Sequence, residues 1–350
     1  MRILTVLLIT YIYGFSQMAS ASLNIRNHMV GGADTEITKT PWQVLIQIER
    51  SDGKFSRCGG TVISERWVLS AAHCFNDSDS TVFSPVPADK IDVITGTADL
   101  TDSPNLHRNS VNKLIPHANY NQTEHIYDVA LLELKNALPK PAQPIKLMSA
   151  AAQIDADNEF MLEITNNLLV SGWGRTSSDG TTSTNVLQSA VLNGIDDATC
   201  ANQWNKPDIL TNSALYVCAN AMDKGACNGD SGGPLVWQDP NHAGDSDKGY
   251  RLAGIANFVS GKQCANNLLS DVFAQVSTLI PWIKASIKIS STAYQIPDPV
   301  FDQDAFDIND PTKVPMSTPQ TASNNSAGSF SLFTLALLSL TLFISRRFKI

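Results

Sequence analysis

Gly229-Asp230-Ser231-Gly232-Gly233-Pro234 sets one serine among small residues, directly after a carboxylate. A serine hydroxyl is a poor nucleophile at neutral pH and needs a base to take its proton. An imidazole base in turn needs a carboxylate to hold its tautomer and steady its positive charge. Both partners stand upstream, His73 in Ala71-Ala72-His73-Cys74 and Asp128 in Asp128-Val129-Ala130-Leu131-Leu132. Roughly fifty and one hundred residues separate the three, so only folding can unite them.

Each of these residues also has an ordinary explanation. A histidine is usually structural or solvated, an aspartate opening a strand usually sits at the surface, and a serine between glycines often marks a turn. His73, however, follows the apolar run Trp67-Val68-Leu69 and adjoins a cysteine. Burying Asp128 would be costly without a donor, and the His73 ring supplies one. Glycines around Ser231 let its backbone approach a ligand closely. The amides of Gly229 and Ser231 are then the expected oxyanion hole, where a single donor contributes about 2.7–4 kcal/mol. Gly229-x-Ser231-x-Gly233 also satisfies the nucleophile-elbow pattern, but that arrangement orders its residues serine, acid, histidine. Only His242 follows Ser231, and Pro234 falls where the elbow's helix should begin.

Met29-Val30-Gly31-Gly32, Pro41-Trp42-Gln43-Val44, Ser171-Gly172-Trp173-Gly174 and Pro281-Trp282-Ile283 complete a series of motifs. In content and order the series resembles the trypsin/chymotrypsin-type serine proteases, from about residue 29 to about residue 287. The resemblance implies a mainly β fold: two six-stranded antiparallel β-barrels with a C-terminal α-helix and the active site in the cleft between them. It implies an endopeptidase in which His73 is general base and then general acid, Asp128 orients it, and Ser231 forms an acyl-enzyme. No metal or organic cofactor is required. It also selects the disulfides Cys58–Cys74, Cys200–Cys218 and Cys227–Cys264, each expected to contribute about 2–4 kcal/mol. The residues themselves agree with mostly strand, in short β-branched or aromatic runs at 42–48, 61–70, 128–134 and 250–259. Only 276–289 reads as a helix.

By the same resemblance, Asp230 is a switch: an amino group freed at Met29 folds inward to pair with it and shapes the oxyanion hole. The chain is then a zymogen requiring an activating protease. His28 rather than an arginine precedes Met29, so ordinary tryptic activation does not fit. Substrate choice is expected from Gly225, Ala226, Asn257, Phe258, Val259 and Asp271. Gly225 stands where trypsin-like members carry aspartate, and Val259 where chymotrypsin-like members keep glycine. A β-branched residue at the pocket mouth favours small aliphatic side chains, as in elastases. Asp271 leaves a second reading open, a basic or mixed preference, unless its carboxylate is satisfied internally or turned to solvent. Asn257 replaces the serine that supports the catalytic carboxylate in the family; an amide can still donate a hydrogen bond there.

The ends read as non-globular. Residues 1–21 form a secretory signal, with Arg2, an apolar middle and Ala19-Ser20-Ala21 as a cleavage site. Residues 22–28 are a short pro-segment, and 29–290 the protease domain. Residues 291–328 lose apolar periodicity, gain Pro, Ser, Thr, Asn and Asp, and read as a disordered acidic spacer. Residues 329–350 hold an apolar run ending in Arg346-Arg347-Phe348-Lys349-Ile350, shorter than the about 20 residues of a lasting membrane span. With Ser326-Ala327-Gly328-Ser329 before it, the run resembles the C-terminal sorting tails of Gram-negative exported proteases. It implies a transient or lasting membrane tether, a tail-processing protease and a secreted or cell-surface product.

With 25 basic and 33 acidic residues the chain carries a formal charge of −8, which argues against a nucleic-acid partner. Polypeptide substrates and a monomeric enzyme are expected. No Cys-x-x-Cys pair suggests zinc. The rivals are a catalytically dead binding or adhesion homologue and a membrane-held adhesive protein. The first usually loses a triad residue, and a tail alone would not require three aligned catalytic motifs.

Overall fold

Val44, Ile46 and Ile48 alternate along one strand and are all fully buried, while Leu45 between them is buried on the opposite face. A strand apolar on both faces belongs between two packed layers, and that is where this one lies. In the computed structural model, which describes residues 29–77, 82–261, 263–287 and 299–306, a short strand β1 (Ala33–Asp34) leads into β2 (Gln43–Glu49), β3 (Phe55–Ser64), β4 (Trp67–Ser70), β5 (Ile91–Thr95), β6 (His107–Pro116) and β7 (Ala130–Leu134). The last six close into a barrel in the order β2-β3-β4-β7-β6-β5, all pairs antiparallel. Val44, Ile46 and Ile48 face its interior, whereas Leu45 packs with Trp173 and Leu187 of the second half.

That half follows β8 (Lys146–Leu147) and helix α1 (Ala150–Met161). It comprises β9 (Leu168–Gly172), β10 (Gln188–Ile195), β11 (Tyr216–Asn220), β12 (Pro234–Gln238), β13 (Tyr250–Phe258) and β14 (Asp271–Gln275). These close as β9-β10-β11-β14-β13-β12, with β12 returning to β9. Helix α4 (Val276–Ile287) continues directly from β14. The expected pair of six-stranded barrels with a C-terminal helix is therefore present. Ser171 on β9 donates a hydrogen bond to Gln43 on β2 at 2.7 Å, a buried polar link between the two halves. All three expected disulfides are formed.

Several expectations need correction. The run 61–70 is not one strand: β3 ends at Ser64, Glu65 and Arg66 turn, and β4 runs back beside it. Helix 276–289 is not the only one, since α1, α2 (Asp197–Trp204) and α3 (Pro207–Thr211) are also helical. Local chemistry explains them. The Ser149 hydroxyl accepts from the Ala152 amide and the Asp196 carboxylate from the Thr199 amide, the oxygen caps that helix starts require. Pro207 opens α3, where its missing N–H costs nothing.

The spacer assigned to 291–328 is not featureless either. Residues 299–306 fold back onto the body, with Phe301, Ala305 and Phe306 buried. An average over composition hides three apolar residues, Phe301, Ala305 and Phe306, that have a groove to fill. The expected signal segment, pro-segment and apolar tail lie outside the described residues. Among those described, no helix is long and apolar enough to cross a membrane.

Candidate active site

Strand β4 delivers the chain into a 3-10 turn, Ala72–Phe75, that carries His73. Asp128 stands just before β7, which pairs with β4, so sheet register alone brings the two loops together. Asp128 is fully buried, and both its oxygens are used. Oδ2 lies 2.6 Å from His73 Nδ1, and Oδ1 accepts the His73 backbone amide at 2.8 Å. The carboxylate thus fixes both the ring and the turn beneath it. Burial works against a charge on the His73 ring, but the adjacent Asp128 outweighs it and holds the pKa above the ordinary histidine value.

Arg50 braces the same turn from behind. Its guanidinium donates to the carbonyls of Cys74 at 2.8 Å and Asn76 at 2.7 Å, and to Ser56 Oγ at 2.8 Å. Sequence reading did not single it out, because an arginine on a hairpin gives no sign of where its donors end.

Ser231 comes from the other barrel, in the loop before β12. Cys74 Sγ touches both sides of the cleft, 3.9 Å from His73 Nε2 and 3.7 Å from the Ser231 carbonyl oxygen. The Gly59 amide, next to Cys58 of the same disulfide, donates to that carbonyl at 2.7 Å. Gly232 has φ +78°, and a Cβ there would collide with the Ser70 hydroxyl, so the loop can press on the first barrel only with glycine. Gly229 has φ +101°, a conformation an L side chain rarely adopts. Neither the Gly229 nor the Ser231 amide donates to an acceptor among the described residues, nor does the Ser231 hydroxyl have a partner there. Two free donors therefore flank one free hydroxyl. Cys58, His73 and Cys74 cluster closely enough to suggest a metal site, but both sulfurs are consumed in the disulfide.

A cavity of about 280 Å³, including its open mouth, adjoins Ser231. Ala226, Asn257, Phe258 and Val259 line it as expected, whereas Gly225 and Asp271 lie behind its wall. Asp271 is buried, Oδ2 accepts the Ala226 amide at 2.7 Å, and a Cβ on Gly225 would strike that same oxygen. The aspartate is thus turned inward, not to solvent. Burial, and then the nearby Asp230, push its pKa up to about 8 against the pull of the Ala226 amide.

Asp230 is fully buried as well. Its oxygens accept the Gly174 amide at 2.8 Å and the Cys227 amide at 3.0 Å, and burial raises its pKa to about 7. No cation among the described residues faces it. Met29 is fully buried in the second barrel's core with Ala226, and the Gly225 amide donates to the Val30 carbonyl at 3.2 Å.

Asn257 departs from expectation. Its Nδ2 donates to the His125 carbonyl at 3.0 Å and not to Asp128. Asparagine carries its donor one bond further out than serine, and here that donor ends on the neighbouring loop. Held there, His125 is a second imidazole near the carboxylate, with Nδ1 4.0 Å from Asp128 Oδ2. Burial lowers its pKa despite that neighbour. The signal was available in His125-Ile126-Tyr127-Asp128, a histidine three residues before the acid.

A family model described as Trypsin matches residues 29–283. Among curated proteins, Transmembrane protease serine 7 of Mus musculus is 32% identical over 270 residues, covering 75% of this chain and 29% of that protein. The protein of the same name from Rattus norvegicus is 31% identical over 270 residues, with the same coverage. The chain thus spans less than a third of the length of these curated relatives. The motifs, the paired barrels and the match over most of the chain agree: it belongs to the trypsin family of serine proteases.

Proposed function

We propose that this chain is a serine endopeptidase that cuts polypeptides through Ser231, His73 and Asp128. The observation that carries the reading is the imidazole clamped at 2.6 Å to a fully buried carboxylate, facing a loop with a free serine hydroxyl. His73 Nε2 takes the Ser231 proton as Oγ attacks the scissile carbonyl. The Gly229 and Ser231 amides take the developing oxyanion, and Asp128 steadies the imidazolium. His73 then gives the proton to the leaving amine, and water repeats the sequence on the acyl-enzyme. Because the base must be neutral, and its pKa is held up by Asp128, activity falls as pH drops through a value above the ordinary histidine range.

The enzyme is made as a zymogen. A buried carboxyl with two amide donors and no cation among the described residues, in the half of the molecule whose core also holds Met29, is the arrangement that an amino group freed at Met29 would complete. Export to the cell surface or medium, with an activating protease, a tail-processing protease and a membrane tether, belongs to the same reading.

Selectivity follows from Val259 and Asp271 together. With a pKa of about 8, Asp271 is protonated at neutral pH and ionises as pH rises through that value. A protonated Asp271 puts no charge behind the pocket wall at pH 7, and Val259 at the mouth favours small aliphatic residues. The basic preference left open by Asp271 emerges only in alkaline solution. Peptide-library cleavage will show mostly Ala and Val cuts at pH 7, and a ratio of Arg/Lys to Ala/Val cuts that rises about tenfold between pH 7 and 9. Asp271→Asn will flatten that rise, and Ser231→Ala will abolish all cutting. Dominant cleavage after arginine or lysine at pH 7 would overturn the assignment.

A further inference from the structure

Residues 299–306 leave a question that the protease reading does not touch: why a segment beyond the C-terminal helix returns to the body. Phe301 stands edge-on to Trp42, 5.0 Å between ring centroids, and is stacked on Tyr250 at 5.8 Å. Phe306 packs on Tyr250 at 5.7 Å. Trp42 directly precedes β2 of the first barrel, and Tyr250 opens β13 of the second, so the inserted ring touches both barrels.

Polar groups fix the register. The Tyr250 hydroxyl donates to Asp304 Oδ1 at 2.7 Å and accepts the Ala305 amide at 2.9 Å. The Phe306 amide donates to the same Asp304 oxygen at 3.0 Å, and the Phe301 amide to the Ser246 carbonyl at 3.0 Å. Phe301, Ala305 and Phe306 enter the core while Val300 and Asp302 face solvent. Buried rings held in place by three backbone amides and the Tyr250 hydroxyl mark a specific docking site.

We infer that the groove between Trp42 and Tyr250 is a peptide-docking site whose occupant is the chain's own residues 299–306. This noncovalent strap, and not the link through residues 288–298, fixes the C-terminal segment to the protease body. A cut inside 288–298 leaves the segment attached, and any processing that releases the tail while preserving the strap must occur after Phe306. The inference is independent of catalysis and holds for an inactive protein as well.

The test uses the full chain with a recognition sequence for a site-specific protease inserted within residues 288–298. After cutting, the C-terminal fragment is expected to co-elute one-to-one with the body on size exclusion, at monomer mass. Phe301→Ala/Phe306→Ala should release it at least tenfold faster and lower the Tm of the uncut chain by about 10 °C or more. Val300→Ala should do neither. Should the double variant fail to fold, excess synthetic peptide 297–308 added to the cut parent chain should displace the fragment. The same peptide with alanine at 301 and 306 should not. Release from the parent chain as fast as from the variant, or no displacement by the peptide, would overturn the inference. So would a dimer that the double substitution converts to monomer, since the strap would then belong to a second copy.

Discussion

Asp128→Asn will lower kcat/KM by about 10⁴-fold while the protein stays folded. The geometry explains both halves of that result. One carboxylate oxygen accepts the His73 backbone amide at 2.8 Å, and an asparagine carbonyl can go on doing so, preserving the turn. The other lies 2.6 Å from His73 Nδ1, and there the asparagine would present an NH₂ group. Two donors cannot meet, so the ring takes the tautomer with its proton on Nε2, the atom that must accept from Ser231. The base is lost without loss of structure. A drop smaller than tenfold in the activated enzyme would mean that Asp128 does not set the tautomer of the working base.

Asp230→Asn will leave the chain cut before Met29 about 10²–10³-fold less active than the parent, the loss expected when one partner of a buried ion pair is removed. In the uncut chain the carboxyl has a pKa of about 7, because burial opposes its charge more than the Gly174 and Cys227 amides favour it. An ammonium group brought to it would reverse the balance, ionise the acid and draw the loop carrying Gly229 and Ser231 into its working shape. The amide variant can still accept one hydrogen bond but cannot hold the cation. If Met29 pairs with Asp230 in this way, activity is expected to fall at alkaline pH, as the amine loses its proton above its unpaired value of about 8. N-terminal sequencing belongs with the kinetics, because full activity in a form beginning at Ser22 would refute the switch.

The contact between His73 and Asp128 was anticipated from two short motifs, and the three disulfide pairings came from the family resemblance. His73 beside Cys74 places the ring next to a covalent crosslink, and Asp128 heads the strand that pairs with β4, so topology completes what the motifs begin. The helices were less legible. Their caps, Ser149 and Asp196, are single polar residues that look like any loop serine or aspartate until the backbone turns over them. Asn257 illustrates a different limit. A donor was expected, but where a donor points depends on side-chain length and on the loop opposite, and neither is written locally. Asp271 could be read either as buried or as solvated until its contact with the Ala226 amide and Gly225 was seen. For residues 299–306, acidity and proline content masked two aromatic residues whose partners, Trp42 and Tyr250, lie far away in sequence.

Intact-mass analysis and peptide mapping after treating the chain cut before Met29 with a fluorophosphonate probe is the most direct test of the central claim. A proton relay that activates one hydroxyl predicts a single adduct, mapped to the peptide carrying Ser231, absent from Ser231→Ala and strongly slowed in His73→Ala. No adduct on the parent chain, or one that persists when Ser231 is replaced, would contradict it.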